Sequence, residues 1–240
     1  MDYRGRFVTS TEILRYIDLV ALDLVKKGVV RGDRAIFLAQ ASIESIIYFF
    51  ALSRAGAVVV LVDPEMGDKN FHDRITFSDA KWIVQDPILE KIERYSFIKP
   101  ILRKLNIWFP NISSIDNYHR ITILPISRLK KLTPHTFSEK FIADNEDMSI
   151  IFTSGTTGTP KGVVHSYKSL LSGLSLICSE LPIKKSDCFY ASQFYFLLIA
   201  LVVPCKVFVP KPKKFSPRSF INMVKNNKVT STFLLHSEGQ

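Results

Sequence analysis

The sequence of 240 residues predicts an α/β fold in which a mostly parallel sheet is flanked by helices. Helix and strand patterns alternate from Thr9 to Val84. Ala57 to Val62 is a continuously apolar, β-branched run, which is typical of a strand that is covered on both faces. With 47% hydrophobic and 22% charged residues, the composition is that of a globular protein and excludes disordered and fibrous classes.

The first predicted element is an amphipathic helix. Thr9 and Glu12 have the spacing of a capping box, in which each residue hydrogen-bonds the backbone of the other. Apolar residues then recur on one helical face, at Ile13, Ile17, Val20 and Leu24. Gly28 is expected to close the helix.

Strand and helix patterns then repeat in order. They are a strand at Ala35–Ala39, a helix at Ser42–Arg54, a strand at Ala57–Val62, a helix near Asn70–Phe77 and a strand at Trp82–Val84. Short strands that are separated by helices favour parallel pairing through crossover connections. We therefore expect these strands to lie in one sheet with helices on both faces.

The middle of the chain, from about Pro87 to Asn145, predicts no topology because prolines interrupt its pattern. Regular patterns return afterwards. They are a strand at Met148–Phe152, a helix at Ser166–Leu181, a strand at Val207–Val209, a helix near Pro217–Asn226 and a strand near Thr230–Leu235.

The segment richest in special residues follows the predicted strand at Met148–Phe152. It reads Thr153-Ser154-Gly155-Thr156-Thr157-Gly158-Thr159-Pro160-Lys161-Gly162. Glycines let backbone N–H groups approach an anion, hydroxyls add donors, and lysine supplies a point charge for phosphate oxygens. The spacing is not that of a Walker loop or of a GxGxxG turn. A plain surface loop is the alternative, but so long a cluster between a buried strand and Val163-Val164 favours phosphate binding.

This segment, from Ile151 to Val163, resembles the phosphate-loop signature of the AMP-forming, adenylate-forming enzyme superfamily. That superfamily includes acyl-CoA synthetases, luciferases and the adenylation domains of nonribosomal peptide synthetases. The resemblance extends to Gly32-Asp33-Arg34, to Arg54–Val58 and to Val62-Asp63-Pro64. The stretch Asp63–Asn70 resembles the branch with fatty-acid CoA ligases and olefin β-lactone synthetases.

The resemblance implies a role for each loop residue. The hydroxyl groups that would donate to ATP phosphate oxygens belong to Thr153, Ser154, Thr156 and Thr157. Gly155 and Gly158 would permit the turn, while Thr159 and Pro160 would shape it. Lys161 would be the catalytic residue, because its ammonium balances charge on the pyrophosphate. Such a reaction depends on positioning and charge stabilisation and needs no nucleophilic side chain.

The resemblance also implies a domain organisation. Residues 1–240 correspond to the N-terminal part of an AMP-dependent synthetase and ligase domain, with a first subdomain at 1–147 and the start of a second at 148–240. Full-length members are about twice as long. The family motifs that bind adenine, Mg²⁺ and the acyl phosphate correspond to no residue of this sequence. We therefore expect a fragment that lacks the C-terminal lid domain and is incomplete for catalysis. Pro204 and Gln193–Tyr195 depart from the branch pattern at the expected acyl pocket.

The function that the resemblance implies is activation of a carboxylic acid, a fatty acid or another apolar acid, with ATP and Mg²⁺. CoA would be the acceptor, and a separate C-terminal chain would be a partner. A non-catalytic nucleotide-binding or interaction remnant of such an enzyme is the first alternative. The second is a basic membrane-surface or nucleic-acid-binding protein, given the net charge of +10. No aromatic RNA-binding signature supports binding to nucleic acid.

The sequence predicts a cytoplasmic protein, because its first residues lack a secretory signal. The longest apolar run, Phe194–Cys205, has 12 residues, which is short of the ~20 that span a bilayer, although peripheral membrane contact stays compatible with it. Three cysteines without CxxC spacing are interpreted as core thiols. The histidines lack metal-ligand spacing, so no metal site is expected, and His165 is interpreted as a capping or packing residue.

Overall fold

The computed structural model of the chain describes residues 5–62, 67–95, 97, 99–100, 117–132, 145–153, 161–181, 183–191, 194–198, 202–203, 205–210 and 217–232. Contacts group the chain into two compact units. The larger consists of Tyr16–Ala39 and Tyr48–Lys168, and the smaller consists of Met1–Arg15, Gln40–Ile47 and Ser169–Gln240. The subdivision into residues 1–147 and 148–240 stays a prediction, and the two contact units have different boundaries from it.

The elements follow the predicted alternation. The first are α1 (Ser10–Lys26), β1 (Arg34–Leu38), α2 (Ile43–Arg54), β2 (Val58–Leu61), α3 (Asp68–Ser78), β3 (Trp82–Gln85) and α4 (Pro87–Arg94). Next come β4 (His119–Thr122), α5 (Ile126–Leu129), β5 (Asp147–Thr153) and β6 (Lys161–Ser166). The last are α6 (Tyr167–Glu180), β7 (Cys188–Tyr190), α7 (Phe194–Leu197), β8 (Lys206–Phe208), α8 (Pro217–Asn227) and β9 (Ser231–Thr232).

The capping box at the start of α1 is confirmed. The backbone N–H of Glu12 donates to Oγ1 of Thr9 at 3.2 Å, and the backbone N–H of Thr9 donates to Oε2 of Glu12 at 2.9 Å. The helix ends at Lys26, and Gly28 adopts a positive φ of 98° just beyond it. Glycine reaches this conformation without steric cost, so Gly28 follows the helix end as predicted.

The larger unit contains a six-stranded sheet in the order β4-β3-β1-β2-β5-β6. Every neighbouring pair is parallel except β5 and β6, which are antiparallel. In the middle of the sheet, Ile36 of β1 lies between Val60 of β2 and Ile83 of β3. The predicted, mostly parallel sheet is therefore confirmed.

Helices cover both faces of this sheet. Helix α2 connects β1 to β2, its neighbour on one side, and α3 connects β2 to β3, the neighbour of β1 on the other side. Right-handed crossovers in these two opposite directions place α2 and α3 on opposite faces of the sheet. Successive side chains of β1 show the same division. Ile36 belongs to a buried cluster with Phe71 of α3, while the ring centroid of Phe37 lies 6.1 Å from that of Phe49 in α2.

Among its described residues, the segment that predicted no topology contains α4, β4 and α5. Strand β4 pairs with β3 in parallel, and only Ile121 of its four residues is buried. A strand with one buried residue leaves no hydrophobic run in the sequence, which explains why its pattern is weak.

The smaller unit contains a three-stranded parallel sheet in the order β8-β7-β9. Its core combines Cys188, Tyr190 and Phe208 from the strands with Phe220 and Met223 from α8. Of the strand that was predicted near Thr230–Leu235, Ser231–Thr232 form β9 and the residues from 233 onward lie outside the described part. In the apolar run at 194–205, Phe194–Leu197 form α7.

Candidate phosphate-binding site

The candidate site begins where β5 ends, at the carboxyl edge of the large sheet. Strands β1, β2 and β5 run parallel, so their carboxyl ends share one edge. The chain leaves that edge after Thr153 and returns at Lys161 as β6, antiparallel to β5. In open α/β sheets, ligands bind outside the carboxyl ends of the strands. The predicted phosphate loop therefore starts on the edge where this architecture places ligands.

The structure describes the two ends of the loop. Thr153 and Lys161 are opposite each other and form the last pair of the β5–β6 ladder. The side chain of Lys161 is exposed. The other predicted site residues, Ser154, Gly155, Thr156, Thr157, Gly158, Thr159 and Pro160, lie outside the described residues. Their roles stay predictions.

The stem of the loop is anchored by Phe152, the residue before Thr153. Its ring packs against the core cluster of the sheet and forms an edge-to-face contact with Phe77 of α3, with 6.3 Å between centroids. The guanidinium carbon of Arg74, also on α3, lies 6.0 Å from the centroid of the Phe152 ring. Two residues of one helix face thus contact Phe152, the strand residue that precedes the first residue of the loop.

Across the ladder, Gly162 lies directly opposite Phe152. A Cβ atom on residue 162 would be 2.8 Å from Cγ2 of Ile150 and 3.4 Å from Cε1 of Phe152. Real Cβ atoms essentially never approach as closely as the first of these distances. A side chain at this position would therefore force a shift within the stem, so close packing favours glycine here.

The loop motif did not predict Arg74 or Phe77 as part of the site, and it contains Phe152 without giving this residue a role. Arg74 and Phe77 are three residues apart and share a helix face, so their spacing was available in the sequence. Nothing in that spacing indicates which strand the face covers. The sequence motif therefore indicated the loop residues but not the helix residues that contact the loop stem.

His165 lies away from the loop, near the other end of β6, where it is half-buried and opposite Ser149. At about 3.3 Å of rise per residue, four residues place it roughly 13 Å along the strand from Lys161. The interpretation of His165 as a capping or packing residue stays a prediction.

Other candidate features are described only in part. Among the described residues, no group of three or more His, Cys, Asp or Glu side chains could hold a metal ion. Cys178, Cys188 and Cys205 are free thiols, and burial raises the pKa of each. Cys188 is buried as expected of a core thiol, whereas Cys178 and Cys205 are only partly buried, so the prediction of core thiols is wrong for these two. Within the same part of the chain, every helix is too short or too polar to cross a membrane.

A parallel sheet that presents a loop of glycines, hydroxyls and a lysine at its carboxyl edge is typical of α/β proteins that bind nucleotide phosphates. Comparison with known proteins narrows this class. The model of the AMP-binding enzyme family matches residues 1–237, and the chain belongs to this family. The resemblance to adenylate-forming enzymes is thereby confirmed.

Two curated relatives show the degree of similarity. The chain is 29% identical over 181 residues to acetyl-coenzyme A synthetase of Emericella nidulans, an alignment that covers 72% of this chain and 27% of that protein. It is 27% identical over 166 residues to olefin beta-lactone synthetase of Xanthomonas campestris, which covers 67% of this chain and 28% of that protein. The chain thus spans less than a third of the length of these relatives.

A solved structure shares the fold. O-succinylbenzoate coenzyme A synthetase (MenE) from Bacillus subtilis, in complex with AMP, superposes with a TM-score of 0.73 at 19% identity. The match covers 98% of this chain and 57% of that one. The predicted fold class, an α/β fold of the N-terminal region of adenylate-forming enzymes, is confirmed.

Proposed function

We propose that the protein containing this chain activates a carboxylic acid with ATP. An oxygen of the substrate carboxylate attacks the α-phosphorus of ATP, the bond from that phosphorus to the β-phosphate oxygen breaks, and acyl-AMP and pyrophosphate form. The observation that carries this proposal is the family match over residues 1–237, together with the position of the loop between β5 and β6.

In this reaction the chain binds and orients the leaving pyrophosphate. The hydroxyls of Thr153, Ser154, Thr156 and Thr157 donate to phosphate oxygens, and Lys161 offsets the charge that develops on the leaving group. Such preorganised donors lower the barrier because they meet charge that grows in the transition state. Lys161 lies at the loop stem with its side chain exposed, where it is accessible to a ligand outside the sheet edge.

We propose a fatty acid or another apolar acid as the substrate and CoA as the acceptor. The names of the relatives support an acid and a CoA acceptor, since one is an acetyl-coenzyme A synthetase. The relation to olefin beta-lactone synthetase supports the acyl-activating branch. Mg²⁺ is expected to accompany ATP, and no described residue is assigned to it.

We also propose that the parts of the family fold that this chain does not span complete the active site. The solved relative is longer, and the chain covers 57% of it. These parts would belong to the same polypeptide or to a second, C-terminal chain. We propose a cytoplasmic location, with membrane contact limited to the periphery.

The test is acid-dependent exchange of pyrophosphate into ATP by the complete protein. Acetate, octanoate and palmitate are compared, and CoA thioesters are detected by mass spectrometry. We expect exchange with at least one acid and a strong loss in Lys161→Ala, with Lys130→Ala, a change at another exposed lysine, as the control. Binding of ATP without exchange for any acid would indicate a non-catalytic remnant and contradict the proposal.

A further inference from the structure

Arg74 is a buried cation in the larger unit. Its side chain is on α3, and the residue is only 7% exposed. Its Nη1 donates to the backbone carbonyl of Asn70 in the same helix at 3.0 Å. Burying a cation carries a large desolvation cost, and apolar residues of similar volume often stabilise such positions as well or better. The groups that the guanidinium contacts therefore bear directly on why an arginine lies here.

The contact of Arg74 with Phe152 connects this cation to the candidate site. The 6.0 Å between the guanidinium carbon and the ring centroid is within the range of a cation–π contact, which strengthens where water is excluded. Phe77 approaches the same ring edge-to-face. Because one helix supplies both contacts, the ring of Phe152 is fixed relative to α3 rather than only to its own strand.

Fixing this ring also fixes the loop stem. Phe152 pairs with Gly162, and the next pair, Thr153 with Lys161, is the last before the loop. The space opposite Phe152 is already closed, since Gly162 leaves no room for a Cβ beside Ile150. A shift of the ring would thus displace the strand ends from which the loop starts.

We propose that Arg74 is a positioning residue for the phosphate loop, acting through Phe152 to hold Thr153 and Lys161 in register. This inference rests on the proposed function in that the loop binds phosphates. The guanidinium is the required feature, because its delocalised charge is weakly hydrated and suits contact with an aromatic ring, whereas a lysine ammonium is a compact and more strongly hydrated charge.

The test compares Arg74→Met and Arg74→Lys with Arg128→Met, which changes an exposed arginine of α5. Hydrogen exchange measured on a peptide that covers β5 and β6 reports on the stem without any ligand. A peptide that covers β4 and α5 serves as the internal reference. In both Arg74 variants we expect the stem peptide to exchange hydrogen several-fold faster than in the wild type and the reference peptide to exchange at the wild-type rate. We expect Arg128→Met to match the wild type in both peptides.

Binding of inorganic pyrophosphate to the chain, measured by calorimetry, is the second measurement. We expect both Arg74 variants to raise the Kd by about five- to tenfold, as for loss of a cation–π contact. Wild-type affinity in Arg74→Lys would show that charge alone matters and would overturn the positioning role. Unchanged stem exchange in Arg74→Met would overturn it equally.

The two hypotheses fail in different ways. If the wild type does not bind pyrophosphate, the proposed role of the loop is wrong. The hydrogen-exchange experiment still decides whether Arg74 stabilises the stem. If Arg74→Met does not fold, Arg74→Lys carries the comparison, because it keeps the positive charge and most of the aliphatic stem.

Discussion

Asp33 and Trp82 are joined by a hydrogen bond from the indole Nε1 to Oδ2 at 2.9 Å, at the amino ends of two adjacent strands. Lys81 donates to the other carboxylate oxygen at 2.7 Å, and the backbone N–H of Val30 also donates to Oδ2. Burial raises the pKa of Asp33, but these hydrogen bonds outweigh burial, so its net pKa lies below the ordinary value. The carboxylate therefore connects the start of β3 to the residue that precedes β1.

We expect Asp33→Asn to destabilise the larger unit by about 1–3 kcal/mol at pH 7, because an amide cannot accept all of these donors and leaves a buried one unsatisfied. A carboxyl group with a lowered folded-state pKa stabilises the fold above its unfolded pKa of about 3.9, and this contribution disappears as the pH falls through the folded pKa. Urea unfolding at pH 7, 4 and 3 measures the difference. A difference that does not narrow at acidic pH would contradict the assignment.

Gly162→Ala is expected to destabilise the protein by about 1–3 kcal/mol, because the new methyl group would overlap Ile150 in the stem. Gly173→Ala is the matched control, since a Cβ at residue 173 meets nothing within 4 Å and the residue lies inside α6. There alanine is expected to be neutral or to stabilise by up to about 1 kcal/mol. Chemical denaturation of both variants gives the comparison, and equal effects would refute the packing argument.

Thr9→Ala is expected to cost about 0.5–2 kcal/mol, because it removes the acceptor for the Glu12 backbone N–H at the start of α1. Thr9→Ser keeps the hydroxyl and should retain most of the stability. Thermal unfolding followed by circular dichroism separates the two variants. An alanine variant as stable as the serine variant would show that the cap contributes nothing.

Lys161→Ala is expected to weaken pyrophosphate binding roughly tenfold, since it removes a charge-assisted contact. The remaining affinity should depend less on salt than that of the wild type, because one cation fewer faces the ligand. Calorimetry at two salt concentrations measures both effects, with Lys130→Ala as control. Unchanged affinity would remove Lys161 from the site.

Residues 1–240 alone are expected to bind ATP or pyrophosphate weakly and to show no acid-dependent pyrophosphate exchange. Charge on the α-phosphate needs further donors in the transition state, and loss of even one such donor typically costs about 100-fold or more in rate. A radiochemical exchange assay with several acids tests this. Exchange by residues 1–240 would show that the described chain already contains a sufficient site.

Most local structure was predictable from the sequence where a pattern was strong. The continuous apolar run at Ala57–Val62 indicated a strand that is covered on both sides, and β2 at Val58–Leu61 is that strand. The capping box at Thr9 and Glu12 was predicted because both partners lie within one turn. Weak patterns did not predict their elements. In β4, residues 119 and 120 are exposed, and the strand pairs with β3 without a hydrophobic run of its own.

The sequence by itself determined the alternating elements, the position of the loop motif and the family resemblance, because these depend on residues that are close together in the chain. The tertiary structure decided the strand order and which helix face meets Phe152, because Arg74 and Phe152 are distant in sequence and lie in contact where β2 and β5 pair in the folded sheet. Local periodicity specifies which residues a helix buries. It does not specify what they are buried against, since that depends on the non-local pairing of strands.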